Sequence, residues 1–160
     1  MKTRVTLISA AVALAFSLVP SQAARAEGNE KRVKMKDLPP AVQKTVREQS
    51  KGATIRGLSQ ETEDGKTIYE VEMRVKGHPK DVSIDADGNV IEVEEAVTLA
   101  SLPEAVQAGI KKGAAESRIT LIESIQKGGA LVAYEVHTLA GKKRGEFKVG
   151  LDGQPIEEKN

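Results

Sequence analysis

Residues 33–43, VKMKDLPPAVQ, match residues 97–107, VTLASLPEAVQ, at an offset of 64 positions, and this pair of segments decides the predicted fold. Two later pairs of blocks match at an offset of 65, namely Tyr69-Glu70-Val71 with Tyr134-Glu135-Val136 and Asp87-Gly88 with Asp152-Gly153. Matches in the same order at a nearly constant offset are the signature of an internal repeat. We therefore predict a tandem duplication, with one copy at residues 33–95 and the other at residues 97–159.

Each copy is predicted to open with an amphipathic helix. Asp37 is a candidate cap for the first helix, and Ser101 with Glu104 forms an S-x-x-E capping box at the start of the second. Apolar residues then recur at the i, i+3, i+4 spacing of one helix face. These residues are Leu38, Ala41, Val42 and Val46 in the first copy and Leu102, Ala105, Val106 and Ile110 in the second.

Short strands joined by tight turns are predicted to follow each helix. Residues 66–75 alternate, which puts Tyr69 and Val71 on one face of a strand and Glu70, Glu72 and Arg74 on the other. Turn signals such as Asp-Gly separate the strands, and short turns make neighbouring strands antiparallel. The remaining predicted strands cover residues 54–60, 82–84 and 90–93, then 118–126, 131–139, 145–149 and a short strand at 156.

These patterns predict an α+β fold. The expected architecture is a tandem duplication of a helix packed on a three- to four-stranded antiparallel sheet. A unit of about 65 residues buries only about 60% of its unfolded surface and is marginally stable alone. We therefore expect the two units to share either a packed interface or a continuous sheet.

Residues 1–26 have the features of a cleavable signal peptide. Lys2 and Arg4 precede an apolar run over residues 5–19, and Ala24-Arg25-Ala26 supplies small residues for cleavage after Ala26. The apolar run is shorter than the roughly 20 residues that span a bilayer. We predict a periplasmic or secreted protein whose mature N-terminus, residues 27–32, is disordered.

Composition excludes several functions. The chain has no cysteine, which excludes disulfides and thiolate metal sites. Removal of residues 1–26 leaves 21 basic against 23 acidic residues, so no excess of positive charge supports nucleic-acid binding. We predict no nucleic-acid partner and no stable membrane insertion after signal cleavage.

Catalytic and metal-binding groups are scarce in the sequence. His78 lies in a Gly-His-Pro turn, and His137 lies beside Glu135 on the predicted polar face of a strand. Neither histidine has a nucleophile and an orienting group at a recognisable spacing, so we predict that the protein is not an enzyme. Residues 85–89, DADGN, are followed by Val90 and Ala96 where a calcium loop needs glycine and glutamate, and they predict a hairpin turn instead. We predict no cofactor and no metal site.

The order of motifs resembles that of the PepSY-like domain. Each copy has a Leu-Pro-x-Ala-Val helix start, a Tyr-Glu-Val strand and a last strand after Asp-Gly, and the resemblance covers about residues 33–159. The superfamily includes the tandem-repeat beta-lactamase inhibitor protein and the propeptide modules of thermolysin-type proteases. The resemblance implies a helix-on-sheet fold, an extracytoplasmic location and a binding or inhibitory role without catalysis.

The expected function is an exported, non-catalytic module that binds another extracytoplasmic protein or a peptide, and that inhibits or regulates an envelope or secreted hydrolase. The alternative is a periplasmic protein that responds to a small ligand or a metal. Candidate binding residues lie on the polar sheet face and at a basic loop tip. They are Glu70, Glu72, Arg74, Glu135 and His137 on the face and Lys142, Lys143 and Arg144 at the tip.

Overall fold

A computed structural model describes residues 30–63 and 65–157. Within these ranges the chain forms nine strands and two α-helices, and a short 3-10 turn precedes each helix. The helices are α1 (Pro40–Gln49) and α2 (Glu104–Ala114). The strands are β1 (Lys31–Arg32), β2 (Ala53–Glu63), β3 (Lys66–Val75), β4 (His78–Asp85), β5 (Val90–Ala96), β6 (Arg118–Lys127), β7 (Ala130–Ala140), β8 (Lys143–Gly150) and β9 (Pro155–Ile156).

All nine strands belong to one antiparallel sheet whose strand order follows the chain, from β1 to β9. The pairing of β5 with β6 joins the two halves, with Glu92 opposite Lys127 and Ala96 opposite Glu123. The predicted fold class, a tandem duplication of a helix on a three- to four-stranded sheet, is therefore wrong. The error concerns long-range pairing, because no local pattern in β5 or β6 specifies a partner on the far side of α2.

Both helices pack on the same face of this sheet. Residues directly opposite each other on antiparallel strands point to the same side. The register puts Met73, Lys80, Glu95, Ser124, Tyr134 and Val149 in one row. Met73 lies in the core beneath α1, and Tyr134 and Val149 lie in the core beneath α2. The opposite face, which we call the open face, carries neither helix.

The helices bury the predicted apolar stripes. Val42 and Val46 of α1 are almost fully buried against Val71 and Val82, and Val106 and Ile110 of α2 are packed against the second core cluster. Fully burying an aliphatic side chain of this size contributes about 1.5–3 kcal/mol. Three aromatic side chains, those of Tyr69, Tyr134 and Phe147, also contact the cores.

The helix starts differ from the predicted caps. Asp37 and Ser101 end the 3-10 turns, and α1 and α2 instead follow Pro39 and Pro103 without a side-chain cap. The amide of Gln43 donates to the Leu38 carbonyl at 2.9 Å, and that of Gln107 donates to the Leu102 carbonyl at 2.9 Å. A glutamine in the first turn of each helix thus ties the helix back to the preceding turn.

Two of the predictions concern the N-terminal part of the chain. The signal peptide at residues 1–26 and its cleavage site lie outside the described residues. The segment 27–32, for which the sequence predicts disorder, ends in β1, where Lys31 lies opposite Gln60 and Arg32 opposite Ser59. The predicted boundaries at residues 33–95 and 97–159 stay predictions. No helix in the described part of the chain has the length and apolarity needed to cross a membrane.

Candidate functional site

The centre of the open face carries a group of charged side chains from β6, β7 and β8. Glu123 lies opposite Glu135, and Glu135 lies opposite Lys148. His137 follows Glu135 by two residues on the same face of β7 and lies opposite Glu146. We call these five residues, Glu123, Glu135, His137, Glu146 and Lys148, the carboxylate–histidine cluster.

The imidazole of His137 is at the middle of this cluster. Its Nε2 atom lies 3.1 Å from Glu123 Oε2 and 3.3 Å from Glu135 Oε2, and its Nδ1 atom lies 3.8 Å from Glu146 Oε2. Lys148 Nζ lies 3.6 Å from Glu135 Oε1, the other oxygen of that carboxylate. Both ring nitrogens of His137 therefore face carboxylates, which is an arrangement that favours the imidazolium.

The two central carboxylates are shielded from solvent although they lie on the open face. The side chain of Glu123 is 5% exposed and that of Glu135 is 11% exposed, whereas that of His137 is 30% exposed. A buried carboxylate is costly unless a cation or hydrogen bonds compensate it. Hydrogen bonds to Glu123 and Glu135 outweigh the effect of burial and raise the pKa of His137 to about 10.

Glu94 of β5 extends the acidic region beyond the cluster. Burial is the main cause that raises its pKa to about 8, and the negative charges of Glu135 and Glu92 add to the effect. At neutral pH the side chain of Glu94 is therefore mostly the uncharged acid. The neighbouring Glu92 instead forms an ion pair with Lys127 at 2.7 Å.

The N-terminal half of the open face continues this acidic surface. Glu72, Asp81 and Glu94 form a row across β3, β4 and β5, and Glu70, Ser83 and Glu92 form the next row. Arg32 Nη2 lies 3.5 Å from Glu72 Oε1 in an exposed ion pair. We call Glu70, Glu72, Asp81, Glu92 and Glu94 the acidic strip.

The predicted binding residues thus fall into four places. Glu135 and His137 meet in the cluster, and Glu70 and Glu72 lie in the acidic strip. Arg74 is on the same face, but its guanidinium donates to the Gly77 carbonyl at 2.8 Å in the β3–β4 turn. The basic residues Lys142, Lys143 and Arg144 lie at the exposed β7–β8 hairpin and are not part of the cluster.

Sequence reasoning missed six residues of the candidate site, namely Asp81, Glu92, Glu94, Glu123, Glu146 and Lys148. A usable signal existed for two of them, because Glu146 and Lys148 alternate with the inward Phe147 and Val149. The tight β7–β8 turn at Gly141 then fixes Glu146 opposite His137. Glu123 and Glu94 gave no such signal, since β6 has irregular register and the β5–β6 pairing is long-range.

The segment at residues 85–89, which partly resembles a calcium-binding loop, forms a hairpin turn, as predicted. The carboxylate of Asp85 accepts hydrogen bonds from the backbone N–H groups of Asp87 and Asn89, at 3.0 and 2.8 Å, and from the Asn89 amide at 2.9 Å. The side-chain hydrogen bond from Asn89 is the main cause that lowers the pKa of Asp85. This carboxylate stabilises its own turn.

The raised pKa values predict an unusual pH dependence of stability. A group that holds its proton more tightly in the folded state stabilises that state at low pH and loses this contribution as pH rises. For Glu94 the loss falls between its ordinary value of 4.5 and about 8, and for His137 between 6.5 and about 10. With a chelator present, Glu94→Gln should therefore flatten the decline in melting temperature between pH 5.5 and pH 8.

The matched control for this experiment is Glu116→Gln, which removes an exposed carboxylate from the α2–β6 connection. Its melting temperature should decline with pH in parallel with that of the wild type. A parallel decline for Glu94→Gln as well would show that Glu94 has the same pKa in the folded and unfolded states.

No protein-family model matches this sequence, and no curated protein matches it significantly. Solved structures do share the fold. A protein from Bacteroides eggerthii that is named as periplasmic aligns with a TM-score of 0.60 at 14% identity, over 77% of this chain and 88% of its own. A DUF2874 family protein from Bacteroides ovatus aligns with a TM-score of 0.56 at 17% identity, over 76% and 86%.

A third solved structure bears on the predicted resemblance. A BLIP-like protein from Bacteroides fragilis aligns with a TM-score of 0.53 at 21% identity, over 76% of this chain and 86% of its own. Membership of the PepSY-like superfamily stays a prediction. At these identities the comparisons establish the architecture alone, and that architecture is the BLIP-like one.

Proposed function

We propose that this chain is an exported, non-catalytic binding module whose acidic strip binds a cationic segment of another extracytoplasmic protein. The observation that carries the proposal is the placement of four carboxylates, beside the mostly protonated Glu94, on three adjacent strands of a sheet face that neither helix covers. Complementary charge across an interface speeds association and selects partners. The predicted signal peptide and the periplasmic name of a structural neighbour support an extracytoplasmic location.

The geometry around His137 supports a role without catalysis. A histidine that acts as a general base needs an unprotonated ring nitrogen directed at a nucleophile. In the described residues both nitrogens of His137 face glutamates, and the resulting pKa of about 10 keeps the ring protonated at neutral pH. The cluster therefore supports an ion-pairing or ligand-holding role for this histidine.

The partner class that we propose is an envelope or secreted hydrolase. The motif resemblance to inhibitory and propeptide modules supports this choice, as does the BLIP-like architecture of a structural neighbour. A hydrolase whose surface is neutral or weakly basic, but which has a lysine- or arginine-rich loop, would complement the negative charge of the acidic strip. The alternative of a metal-responsive protein is favoured by a different feature, the carboxylate–histidine cluster.

The test compares two triple variants of the mature chain, residues 27–160, that lose the same charge. Glu70→Gln/Glu72→Gln/Asp81→Asn neutralises part of the acidic strip, and Glu48→Gln/Glu104→Gln/Glu116→Gln neutralises exposed carboxylates away from the open face. Binding of a lysine-rich peptide, and capture of proteins from the envelope fraction, are measured for each. We expect the strip variant to bind about tenfold more weakly, a change of about 1.4 kcal/mol.

The control variant should bind within about twofold of the wild type, and binding by the wild type should weaken as salt screens the charges. Equal binding by the two triple variants would show that the acidic strip is not the binding surface. Absence of any captured hydrolase would contradict the proposed class of partner.

A further inference from the structure

We propose that Glu123, Glu135 and His137 form a binding site for a divalent metal ion of the Zn²⁺ class. Each residue offers one ligand atom, and the three atoms lie within 4.8 Å of one another. The two strands that carry them are hydrogen-bonded neighbours, with Glu123 directly opposite Glu135. A donor set on paired strands is held more firmly than one on loops.

Two of the three distances between the donor atoms match a tetrahedral zinc site. Zinc binds histidine nitrogen at about 2.0–2.1 Å and carboxylate oxygen at about 2.0–2.2 Å, so tetrahedral ligands lie about 3.3 Å apart. His137 Nε2 lies 3.1 Å from Glu123 Oε2 and 3.3 Å from Glu135 Oε2. The third distance, between the two carboxylate oxygens, is no more than 4.8 Å, so an ion that replaces the proton on Nε2 would need these oxygens to approach each other by at most about 1.5 Å.

The donor types select the class of ion. Calcium takes six to eight oxygen ligands at about 2.3–2.6 Å, and magnesium usually retains several waters. An imidazole nitrogen with two carboxylates suits zinc and its neighbours among the transition metals. Two glutamates balance the charge of a divalent ion, and a water or a donor from a partner would fill the fourth position.

Two residues outside the donor set are arranged as supports for such a site. Metal-binding histidines commonly present their other nitrogen to a carboxylate, which orients the ring and fixes the tautomer. Glu146 Oε2 lies 3.8 Å from His137 Nδ1, on the side away from Nε2, and would have to move about 1 Å closer to accept a hydrogen bond from it. Lys148 Nζ lies 3.6 Å from Glu135 Oε1 and leaves Oε2 directed at the imidazole.

Burial and access also fit a bound ion. The shielded carboxylates of Glu123 and Glu135 form the floor of the site, and the more exposed ring of His137 gives solvent a route to it. The competing account is a purely structural ion pair, in which the imidazolium alone compensates the two glutamates. The two accounts predict different results when metal is added, because a metal site binds Zn²⁺ and gains stability, whereas a purely structural ion pair does neither.

The test uses the untagged mature chain, residues 27–160, stripped with a chelator and then dialysed. Titration calorimetry with Zn²⁺ should give one ion per chain, and Zn²⁺ should raise the melting temperature, because an ion that binds only the folded state stabilises it. Co²⁺ should give the intense visible bands of a tetrahedral ion. His137→Asn and Glu123→Gln should each weaken Zn²⁺ binding by more than tenfold.

Further variants separate a built site from adventitious binding. Glu146→Gln removes no ligand and should weaken Zn²⁺ binding by about tenfold or more. His78→Ala removes the other histidine, which is exposed at the start of β4, and should leave binding unchanged. Absence of binding by the wild type would overturn the proposal, as would unchanged binding by a folded His137→Asn chain. These measurements use the protein alone, so their outcome is independent of any protein partner.

Discussion

Gly109→Ala should destabilise the protein by about 2 kcal/mol, although alanine is the better helix former. Gly109 faces the β8–β9 turn in the middle of α2, and an added Cβ would overlap the carbonyl oxygen of Gly153. Overpacking costs about 1–3 kcal/mol, and the upper end applies because a backbone carbonyl cannot rotate away. The gain in helix propensity is about 1 kcal/mol, so the clash dominates.

Thermal unfolding checks this expectation, with a fall in melting temperature of about 6 °C for a chain of this size. The matched control is Gly145→Ala in exposed β8, where the added Cβ would lie 3.2 Å from the hydroxyl of Thr138 and the backbone has no left-handed conformation. This control should change the melting temperature little. A stability of Gly109→Ala at or above that of the wild type would mean that α2 can move away from the turn.

The first half of the chain solves the same packing problem with a larger residue. Thr45 of α1 faces the β4–β5 turn, and its hydroxyl donates to the Gly88 carbonyl at 2.6 Å. Thr45→Ala should therefore cost about 1 kcal/mol, the usual value of one hydrogen bond, and involve no clash. The sequence predicted a glycine-containing turn in each half of the chain. It did not indicate that α1 contacts its turn through Thr45, whereas α2 contacts its turn through Gly109.

Local structure was predictable because it follows from neighbouring residues. The alternation in residues 66–75 placed Val71 and Met73 in the core, and the helical spacing identified Val106 and Ile110 correctly. Gly113 lies inside α2, which continues to Ala114. An added Cβ at Gly113 would overlap the ring of Phe147, so this glycine permits close packing inside the helix.

Long-range structure was not predictable from these patterns. The sheet becomes continuous where β5 pairs with β6, and the intervening residues contain the whole of α2. The candidate site depends on the same kind of information, because Glu123 meets His137 only through the register of β6 against β7, which is interrupted by two irregularities. The alternation of residues correctly indicated a polar face, but it could not indicate which of the charges on that face converge.

His137→Ala should produce the largest loss of stability among substitutions on the open face. In the metal-free protein the imidazolium lies within 3.3 Å of Glu123 and Glu135, and both carboxylates are shielded from solvent. Removing one partner from a buried ion pair costs about 3–5 kcal/mol. The lower end applies here, about 3 kcal/mol at pH 8, because His137 is partly exposed and Lys148 still faces Glu135.

A double variant identifies the cause of this loss. If unpaired carboxylates are responsible, Glu123→Gln added to His137→Ala should restore about half of the lost stability, since contacting residues are not additive. Chemical denaturation of the wild type, the single variant and the double variant at pH 8 measures the effect. Equal losses in the single and double variants would instead assign the effect to lost packing of the imidazole ring.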